Sequence, residues 1–348
     1  MDKDTILSLQ GVTTGFNLRD GLLKAVDNVS FDLKRGEVLA LVGESGCGKS
    51  ITVKTILRLI KKPGFTTGKL FFQAKDRTPV DLLTLPENSH AIRRIRGRYI
   101  NMIFQEPMNA LSPVHTIANQ MVEAIMLHSD LNRQQALEMS IKLLDDVGIP
   151  EPEKRVNAYS FQLSGGMRQR ALIAMAISTN PELLIADEPT TALDVSVQAQ
   201  ILNLLREIQQ KLNMSLVFIT HDLAVVAQMV DRVCVMYLGQ IVEDAPVDEL
   251  FRNPLHPYTK KLLSSILDPG DRRQAEEKIN TISGSVPEPI DLPWQCNFCE
   301  RCEEIVEDCT EAVPELFDVG VGCVHRVRCF KYNGGLAVSK PEEVHIDG

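Results

Sequence analysis

The chain has 348 residues and a formal net charge of -9, with 44% hydrophobic and 24% charged residues. These values are ordinary for globular proteins and exclude disordered and fibrous classes, and the length predicts one large domain with a smaller appendage. The acidic balance argues against nucleic acid as the main partner, because basic surfaces bind phosphate backbones.

Apolar runs such as 172–177 and 216–219 are much shorter than the roughly 20 residues that cross a bilayer. The N-terminal residues lack a charged-then-apolar export pattern, so we expect the chain to stay in the cytoplasm. Any membrane-spanning partner would then be a separate polypeptide.

The first predicted elements are strands at 6–12 and 29–33. A short apolar strand at 37–42 then leads into the glycine-rich loop 43–50, and apolar residues recur at helical spacing over 50–60. Strand, loop and helix in this order favour phosphate binding, because loop amides and a helix N-terminus both attract anions.

The loop reads Gly-Glu-Ser-Gly-Cys-Gly-Lys-Ser and matches a known phosphate-binding pattern. In that pattern the Lys49 ammonium contacts the β- and γ-phosphates, and the Ser50 hydroxyl contacts a magnesium ion. The loop therefore predicts a nucleoside triphosphate site.

A mostly helical stretch follows over about 117–178. One of its helices has an apolar face at Leu143, Leu144 and Val147 and ends at Gly148, with a proline two residues later. We predict a helical subdomain inserted into the sheet.

Polar side chains follow two later predicted strands. The strand at 183–186 ends in Asp187 and Glu188, and the strand at 216–220 ends in His221. Chemistry collects at the carboxyl ends of parallel strands, so we expect an open parallel α/β sheet. Asp187 would hold magnesium with Ser50, directly or through water, and Glu188 would polarise the attacking water.

The sequence pattern changes after residue 252, where one more helix to about 266 is followed by a tail rich in proline and cysteine. We place a domain boundary there, which gives a nucleotide-binding domain over 1–252 and a C-terminal extension over 253–348.

Together these motifs resemble the ATP-binding-cassette (ABC) ATPases over about residues 5–250. Loop 43–50, Gln105, Leu-Ser-Gly-Gly-Met-Arg-Gln-Arg at 163–170, Asp187-Glu188, Ala192-Leu193-Asp194 and His221 occur in that family's order and approximate spacing. The resemblance implies an α/β fold of the ABC-type P-loop NTPase class. Its parts would be a RecA-like core, an antiparallel β subdomain, the inserted helical subdomain and a small Cys-rich C-terminal domain. It also implies ATP and Mg²⁺ as cofactors.

Site residues follow from the same resemblance. Gln105 lies in the family's Q-loop, which links nucleotide state to the membrane partner, and His221 occupies the position of the γ-phosphate-contacting histidine. A lone histidine after a strand is more often structural, but the surrounding motifs reverse that expectation. Phe16 is a candidate for stacking on adenine, with core packing equally open.

The implied catalytic residues are Lys49, Gln105, Glu188 and His221, and the implied magnesium ligands are Ser50, Gln105 and Asp187. The implied nucleotide-binding residues are Phe16, Gly43, Glu44, Ser45, Gly46, Cys47, Gly48, Lys49, Ser50, Ile51, Gln105, Ser164, Gly165, Gly166, Asp187 and Asp194.

Ser164, Gly165 and Gly166 open a second helix N-terminus that can bind an anion. In the family this segment closes over ATP bound to the opposite subunit, so two chains enclose two nucleotides head to tail. Asp194 lies in the loop that crosses the same interface. We therefore expect an identical or paralogous ATPase partner and poor hydrolysis by one chain alone.

The C-terminal extension narrows the resemblance. Asn253-Pro254, His256-Pro257-Tyr258 and the Pro/Cys-rich tail resemble the extension of ATPases from oligopeptide, dipeptide and nickel importers, and 105–113 fits that group's extended Q-loop. The arginine cluster at 93–98 is either a solvated helix end or, as the resemblance favours, part of the docking region for a membrane subunit.

The implied function is the energy-coupling ATPase of an importer for di- and oligopeptides. It would lie at the cytoplasmic face of the membrane beneath two permease subunits, which receive cargo from an extracytoplasmic solute-binding protein. Nickel or another small solute is the alternative cargo. A soluble cassette ATPase acting on DNA or translation is the alternative class, although those proteins usually carry two cassettes, long coiled coils or basic arms.

Six of the eight cysteines lie in the tail, at Cys296, Cys299, Cys302, Cys309, Cys323 and Cys329. In a cytosolic chain such density favours metal over disulfides. The peptide-importer group has a Cys-x-Phe-x-x-Arg-Cys segment and two further cysteines that hold a four-iron, four-sulfur cluster. This sequence matches with Cys296, Phe298, Arg301, Cys302, Cys309 and Cys329.

Cys299 and Cys323 are additional to that pattern and are possible substitute ligands. Zinc would also suit four thiolates, so both the metal and the ligand set stay open. Cys47, inside the phosphate loop, and Cys234, in an apolar strand, are most simply structural.

Overall fold

The computed structural model describes residues 2–87, 89–105, 110–191, 193–265, 286–320, 322–333 and 338. The strands are β1 (Thr5–Leu18), β2 (Gly21–Lys34), β3 (Val38–Val42), β4 (Gly64–Phe72), β5 (Val80–Asp81), β6 (Ile100–Ile103), β7 (Leu183–Asp187), β8 (Ser215–Ile219), β9 (Arg232–Tyr237), β10 (Gln240–Pro246), β11 (Phe317–Asp318) and β12 (Arg326–Val327).

The α-helices are α1 (Lys49–Ile56), α2 (His90–Arg98), α3 (Ile117–His128), α4 (Arg133–Asp146), α5 (Pro152–Arg155), α6 (Gly165–Ile177), α7 (Val195–Leu212), α8 (Leu223–Met229), α9 (Val247–Arg252), α10 (Pro257–Ser264) and α11 (Phe330–Asn333). Within the described ranges, no helix is long and apolar enough to cross a membrane.

The strands form two sheets. One is antiparallel with the order β2-β1-β4-β5, and the other has the order β11-β12-β10-β9-β3-β8-β7-β6. In the larger sheet, β9, β3, β8, β7 and β6 are parallel to one another, and β10 pairs antiparallel with β9. The predicted open parallel sheet is therefore present, and it continues into an antiparallel edge.

Strand β3 separates two hydrophobic cores, because successive side chains of a strand point to opposite faces. Val38, Ala40 and Val42 pack into the core that contains the helices, whereas Leu39 and Leu41 pack into the core shared with the antiparallel sheet. Strands β3, β7 and β8 are buried along their whole length, as expected for parallel strands covered on both faces.

The region between β6 and β7 is helical, as predicted. Helix α4 begins at a capping box formed by Asn132 and Gln135. It ends before Gly148, which has the positive φ of 74° that favours glycine at a helix terminus. Helix α6 begins after Ser164, whose hydroxyl accepts a hydrogen bond from the Met167 amide.

The predicted helix over 50–60 is shorter in the structure and ends at Ile56. Arg58 has a φ of 53°, which an α-helix cannot continue through. The Arg96 guanidinium donates to the carbonyl oxygens of Leu57 and Arg58 at 2.6 Å each. These bonds satisfy carbonyls that the shortened helix leaves unpaired.

The arginine cluster at 93–98 divides into two kinds of residue. Arg96 caps the end of α1, and Arg98 donates to the carbonyl oxygen of Thr179 at 3.3 Å. Arg93 and Arg94 are exposed. Among the described residues, the side chains of Arg93 and Arg94 make no hydrogen bond to backbone, and their role in docking remains a prediction.

The C-terminal extension packs closely against the cassette. Ile290 forms a bridge with Leu23 at the free edge of the antiparallel sheet, and β12 pairs with β10 at the edge of the larger sheet. Tyr258 and Phe298 are buried in the helix-side core. The division at residue 252 remains a prediction, because side chains from both sides of it share this core.

Two adjacent buried acids of β10 fasten the extension. Glu243 accepts hydrogen bonds from the amides of Leu255 and His256 at 2.7 and 2.9 Å, and pairs with the His325 imidazole at 2.8 Å. Asp244 pairs with Arg232 at 2.6 Å and also with Arg326. Burial opposes ionisation of Asp244, but the two guanidinium groups outweigh it and hold the pKa of this carboxyl below its usual range.

Replacing Asp244 with asparagine should therefore destabilise the fold at neutral pH by about 2–3 kcal/mol, because two half-buried guanidinium groups lose their fully buried carboxylate partner. A lowered folded-state pKa adds stability above the unfolded pKa of about 4, and that stability is lost as pH falls through the folded pKa. Urea unfolding between pH 3 and 7 should show a shallower acid dependence for the variant than for the parent chain.

The matched control is Asp146→Asn, which removes the exposed ion pair with Lys211 and should cost less than about 1 kcal/mol. Equal losses from the two variants would contradict the structural role of Asp244.

Candidate active site

The glycine-rich loop lies between β3 and α1, where the backbone leaves no room for side chains at two positions. A Cβ at Gly43 would lie 2.2 Å from the Met236 carbonyl oxygen, and a Cβ at Gly48 would lie 2.2 Å from that of Ala25. Both glycines have positive φ angles, of 149° and 102°. The loop therefore needs glycine here for steric as well as conformational reasons.

Lys49 is folded back over this loop. Its ammonium donates to the carbonyl oxygens of Gly43 at 2.8 Å and Glu44 at 2.9 Å, and contacts the Cys47 sulfur at 3.6 Å. Cys47 is buried in the core, and burial raises the pKa of its thiol. Ser45 and Gly46 are exposed at the tip of the loop, and Ile51 packs against the core from α1.

The strand order brings Asp187 to the start of α1. The Ser50 hydroxyl donates to the Asp187 carboxylate at 3.1 Å. Asp187 is only 3% exposed. Burial raises its pKa, the Ser50 hydrogen bond partly offsets this, and the nearby Glu188 carboxylate raises the pKa further. An anionic oxygen in such surroundings is stabilised by a cation, so Ser50 and Asp187 together suit a hard metal ion.

Glu188 is the meeting point of three other residues. Gln105, just after β6, donates from its amide to Glu188 at 2.9 Å, and the Thr191 hydroxyl donates to the same carboxylate oxygen at 2.9 Å. The His221 imidazole, just after β8, lies 3.5 Å from the other oxygen. Glu188 has a φ of 46° and its amide donates to the Ile219 carbonyl. The chain turn at this point directs the carboxylate towards Gln105 and His221.

Asp187, Glu188, His221 and the Q-loop residue Gln105 therefore lie together, whereas the predicted Ser164–Gly166 segment does not join them. Among the described residues, no hydrogen bond or ion pair links this segment to the phosphate loop. A Cβ at Gly166 would lie 2.9 Å from the Val197 side chain, and one at Gly165 would lie 3.6 Å from Leu193. Asp194 caps α7, accepting from the Val197 amide and the Ser196 hydroxyl.

Phe16 is half-buried on β1, opposite Leu23 and Gly64 in the neighbouring strands. A Cβ at Gly64 would lie 2.7 Å from its ring, so glycine there leaves room for the aromatic side chain. Both of its predicted roles, adenine stacking and core packing, remain predictions.

The tail cysteines group around Cys309. Cys299 and Cys309 are buried with Phe330, and Cys296 packs against them. The hydrogen bond between Cys296 and Cys309 lowers the pKa of the Cys309 thiol to about 6 and raises that of Cys296. Proximity to Cys309 also contributes to raised pKa values at Cys302 and Cys329, behind the larger effect of burial.

Cys323 is exposed and stands apart from this group in its burial. Across the described part of the chain, no set of three or more histidine, cysteine and carboxylate side chains has the geometry of a metal site. Cys234 is fully buried, as expected for a structural residue, and burial raises its pKa well above the usual range.

Sequence reasoning missed three residues near the phosphate site. Thr191 binds Glu188, the Tyr258 hydroxyl accepts from the Glu44 amide at 2.9 Å, and Arg301 forms an ion pair with Glu44 at 2.8 Å. Thr191 could have been noticed from its position three residues after Glu188. Nothing local indicates Tyr258 or Arg301, since each is more than 200 residues from Glu44.

The buried Asp187 leads to a stability prediction. When the pKa of a carboxyl is higher in the folded than in the unfolded state, the fold loses stability as pH rises from the unfolded pKa through the folded pKa. The ionised carboxylate of Asp187 therefore destabilises the fold at pH 7. Asp187→Asn keeps the shape and can still accept from Ser50. In magnesium-free buffer at pH 7 it should raise the unfolding temperature by about 2 °C.

Calorimetry checks this, with Asp130→Asn as the control because Asp130 is exposed and its replacement should leave the unfolding temperature unchanged. A lower unfolding temperature for Asp187→Asn would contradict the effect of burial.

Comparison with known proteins agrees with this geometry. Residues 26–191 match the family described as ABC transporter, and residues 242–309 match the one described as oligopeptide/dipeptide transporter, C-terminal region. The solved dimeric structure of MJ0796, a bacterial ABC transporter cassette, is 25% identical with a TM-score of 0.61 and covers 70% of this chain and 99% of that one.

Curated relatives are similar over nearly the full length. A Brucella melitensis chain named as a peptide import ATP-binding protein is 48% identical over 337 residues, covering 95% of this chain and 98% of the relative. The oligopeptide transport ATP-binding protein AppD of Bacillus subtilis is 45% identical over 329 residues, covering 94% of this chain and 97% of AppD. With identity and coverage this high, the chain belongs to the ABC transporter family of ATP-binding proteins.

Proposed function

We propose that this chain is the ATP-hydrolysing, energy-coupling subunit of an importer for di- and oligopeptides. The observation that carries the proposal is the joint placement of Lys49, Ser50, Asp187 and Glu188 at one edge of the sheet, beside a C-terminal extension of the peptide-transporter type. The names of the relatives support peptides as cargo. No specific observation favours nickel, another small solute, or a role on DNA or in translation.

In the proposed reaction, the loop amides and Lys49 bind the phosphates. Lys49 would exchange its present carbonyl partners for phosphate oxygens, and Ser50 and Asp187 would hold magnesium. Glu188 would orient the attacking water and accept its proton. Of the two adjacent acids, Asp187 would thus bind the metal and Glu188 would act as the base.

In this proposal, Gln105 and His221 respond to the bound nucleotide. Gln105 can release Glu188 and turn to metal or water, and His221, with a mostly exposed imidazole, can reach a γ-phosphate. Gln105 directly follows Phe104, whose ring is 46% exposed. Movement at Phe104 would therefore shift the amide that holds Glu188.

A cavity of about 370 Å³ beside Phe104 is our candidate for the permease contact. It lies between the segment after α1, α2, β6, α3 and α6, and its apolar wall includes Leu59, Met102 and Leu172. An apolar groove open between two subdomains suits an inserted segment of a membrane subunit. The exposed Arg93 and Arg94 lie on α2, which borders this groove. The chain would thus lie at the cytoplasmic face of the membrane beneath two permease subunits, supplied by an extracytoplasmic binding protein.

A second ATPase chain, identical or paralogous, would complete the site. The Ser164–Gly166 segment has no link to its own phosphate loop among the described residues, and it lies beside Leu193 and Val197, on either side of Asp194. Both segments therefore belong to one surface. In a head-to-tail dimer that surface would cover the partner's ATP, with the amides at the start of α6 directed at phosphate.

Glu188→Gln tests the assignment of the base. The amide keeps the hydrogen-bonding shape but cannot accept a proton, so ATP should still bind while turnover falls about 100-fold or more. ATP binding and phosphate release should be measured in the assembled transporter. Glu207→Gln, on an exposed face of α7, is the matched control and should retain full turnover. Undiminished hydrolysis by Glu188→Gln would contradict the assignment.

We also propose that the tail thiols hold a four-iron, four-sulfur cluster through Cys296, Cys302, Cys309 and Cys329, with zinc as the competing metal. Four thiols are the donor type that such a cluster takes, and the Glu304 amide donates to the Cys302 sulfur at 3.4 Å. A cluster would tie the 296–302 turn to the segments around Cys309 and Cys329. Cys299 packs inside the group and is the first substitute ligand, whereas Cys323 is exposed.

Metal analysis of protein purified without oxygen tests the cluster. About four irons per chain, acid-labile sulfide and a broad visible absorbance are expected. Cys309→Ser should lose most of the iron, and Cys323→Ser, the control, should keep it. Zinc in place of iron, or equal iron in both variants, would contradict the proposed cluster and ligand set.

A further inference from the structure

The C-terminal extension contacts the phosphate loop directly at Glu44. The two terminal nitrogens of the Arg301 guanidinium each donate to a different carboxylate oxygen of Glu44, at 2.8 and 3.1 Å. The Glu44 amide donates to the Tyr258 hydroxyl at 2.9 Å. Two residues of the extension therefore bind one residue of the loop, through both its side chain and its backbone.

Glu44 in turn holds Lys49. Its carbonyl oxygen accepts a hydrogen bond from the Lys49 ammonium at 2.9 Å. With the amide, carbonyl and carboxylate all engaged, the orientation of the peptide at Glu44 is fixed. Hydrogen bonds thus run from Arg301 through Glu44 to the lysine proposed to bind phosphate.

Arg301 is itself firmly placed. Its side chain is only 5% exposed, and it donates to the Tyr237 hydroxyl at 3.3 Å with the guanidinium 5.7 Å from the Tyr237 ring centre. The rings of Tyr237, Tyr258 and Phe298 pack against one another with centroids 4.8–5.5 Å apart. This aromatic group joins β9, α10 and the turn at Cys299–Arg301 into one packed unit.

The contact between Arg301 and Glu44 also affects the charge of the phosphate loop. Glu44 places a carboxylate inside a loop that binds a polyanion, and unpaired it would repel the phosphates. The Arg301 guanidinium neutralises that charge through a planar, two-bond contact that lysine could not reproduce.

We propose that the Cys-rich extension is part of the nucleotide site, and that Arg301 and Tyr258 are positioning residues that set ATP affinity through Glu44. The inference rests on the proposed ATPase function. Because coupling between two sites is reciprocal, nucleotide bound at the loop should also strengthen the docking of the Cys299–Arg301 turn.

The test uses the full-length protein and magnesium with a fluorescent ATP analogue. Arg301→Gln should weaken binding about tenfold, within the range usual for coupled sites. Adding Glu44→Gln should recover most of the loss, because the unpaired carboxylate is removed. Tyr258→Phe loses one hydrogen bond with little change of shape and should weaken binding less than Arg301→Gln.

The matched control is Arg326→Gln. Arg326 also joins the extension to the cassette through a buried carboxylate, Asp244, but on strand β12 rather than at the phosphate loop. Its replacement should leave ATP affinity unchanged. Hydrogen exchange at residues 299–302 gives a second readout, since nucleotide should slow it in the parent chain and not in Arg301→Gln.

Each result has a defined meaning. A parent chain that fails to bind the analogue would contradict the proposed function itself. Normal binding by Arg301→Gln, equal weakening by Arg326→Gln, or no recovery with Glu44→Gln would overturn the inference while leaving the ATPase function intact. Should Arg301→Gln not fold, unchanged affinity in Tyr258→Phe would overturn it equally.

Discussion

Parallel pairing among β3, β8 and β7 is the constraint on which the candidate site depends. Leu41 lies opposite Ile219, and Ile219 lies opposite Asp187, so the three strands end at one level. The phosphate loop, His221 and Glu188 all follow these strand ends. Side chains that are far apart in sequence therefore meet without any one loop carrying the whole site. The two cores on either side of β3 keep that edge rigid.

The site also depends on which of the poorly exposed carboxylates are paired with a positive charge. Asp244 is neutralised by two arginines, and Glu44 by one. Among the described residues, the side-chain hydrogen bond to Asp187 comes from the Ser50 hydroxyl, and burial raises the pKa of Asp187 despite the nearby Lys49 and Lys54. Asp244 and Glu44 are thus paired with arginines, whereas Asp187, the acid proposed to bind magnesium, would still gain from a cation.

Much of this could be predicted from the sequence, because the informative signals are local. A strand that leads into a glycine-rich loop, or a strand that ends in two acids, can be recognised from a pattern of about ten residues. The predicted end of α1 was wrong by four residues, because the true end is stabilised by Arg96, about forty positions away. The contact of Arg301 with Glu44 spans 257 residues and has no local signal at either end. In the sequence, Arg301 stood out only as part of the Cys-x-Phe-x-x-Arg-Cys pattern.

The site receives two kinds of contact from outside the sheet, and they act on different residues. Gln105 binds the carboxylate of Glu188, so a change at the cavity beside Phe104, the proposed permease contact, would reach the proposed base. Arg301 and Tyr258 bind Glu44, so a change in the C-terminal extension reaches the loop and Lys49. Under these proposals, the first contact would act on hydrolysis through Glu188, and the second would act on affinity through Glu44. Because Glu188 and Glu44 lie on separate elements, β7 and the loop before α1, a transporter could adjust ATP capture and ATP cleavage independently.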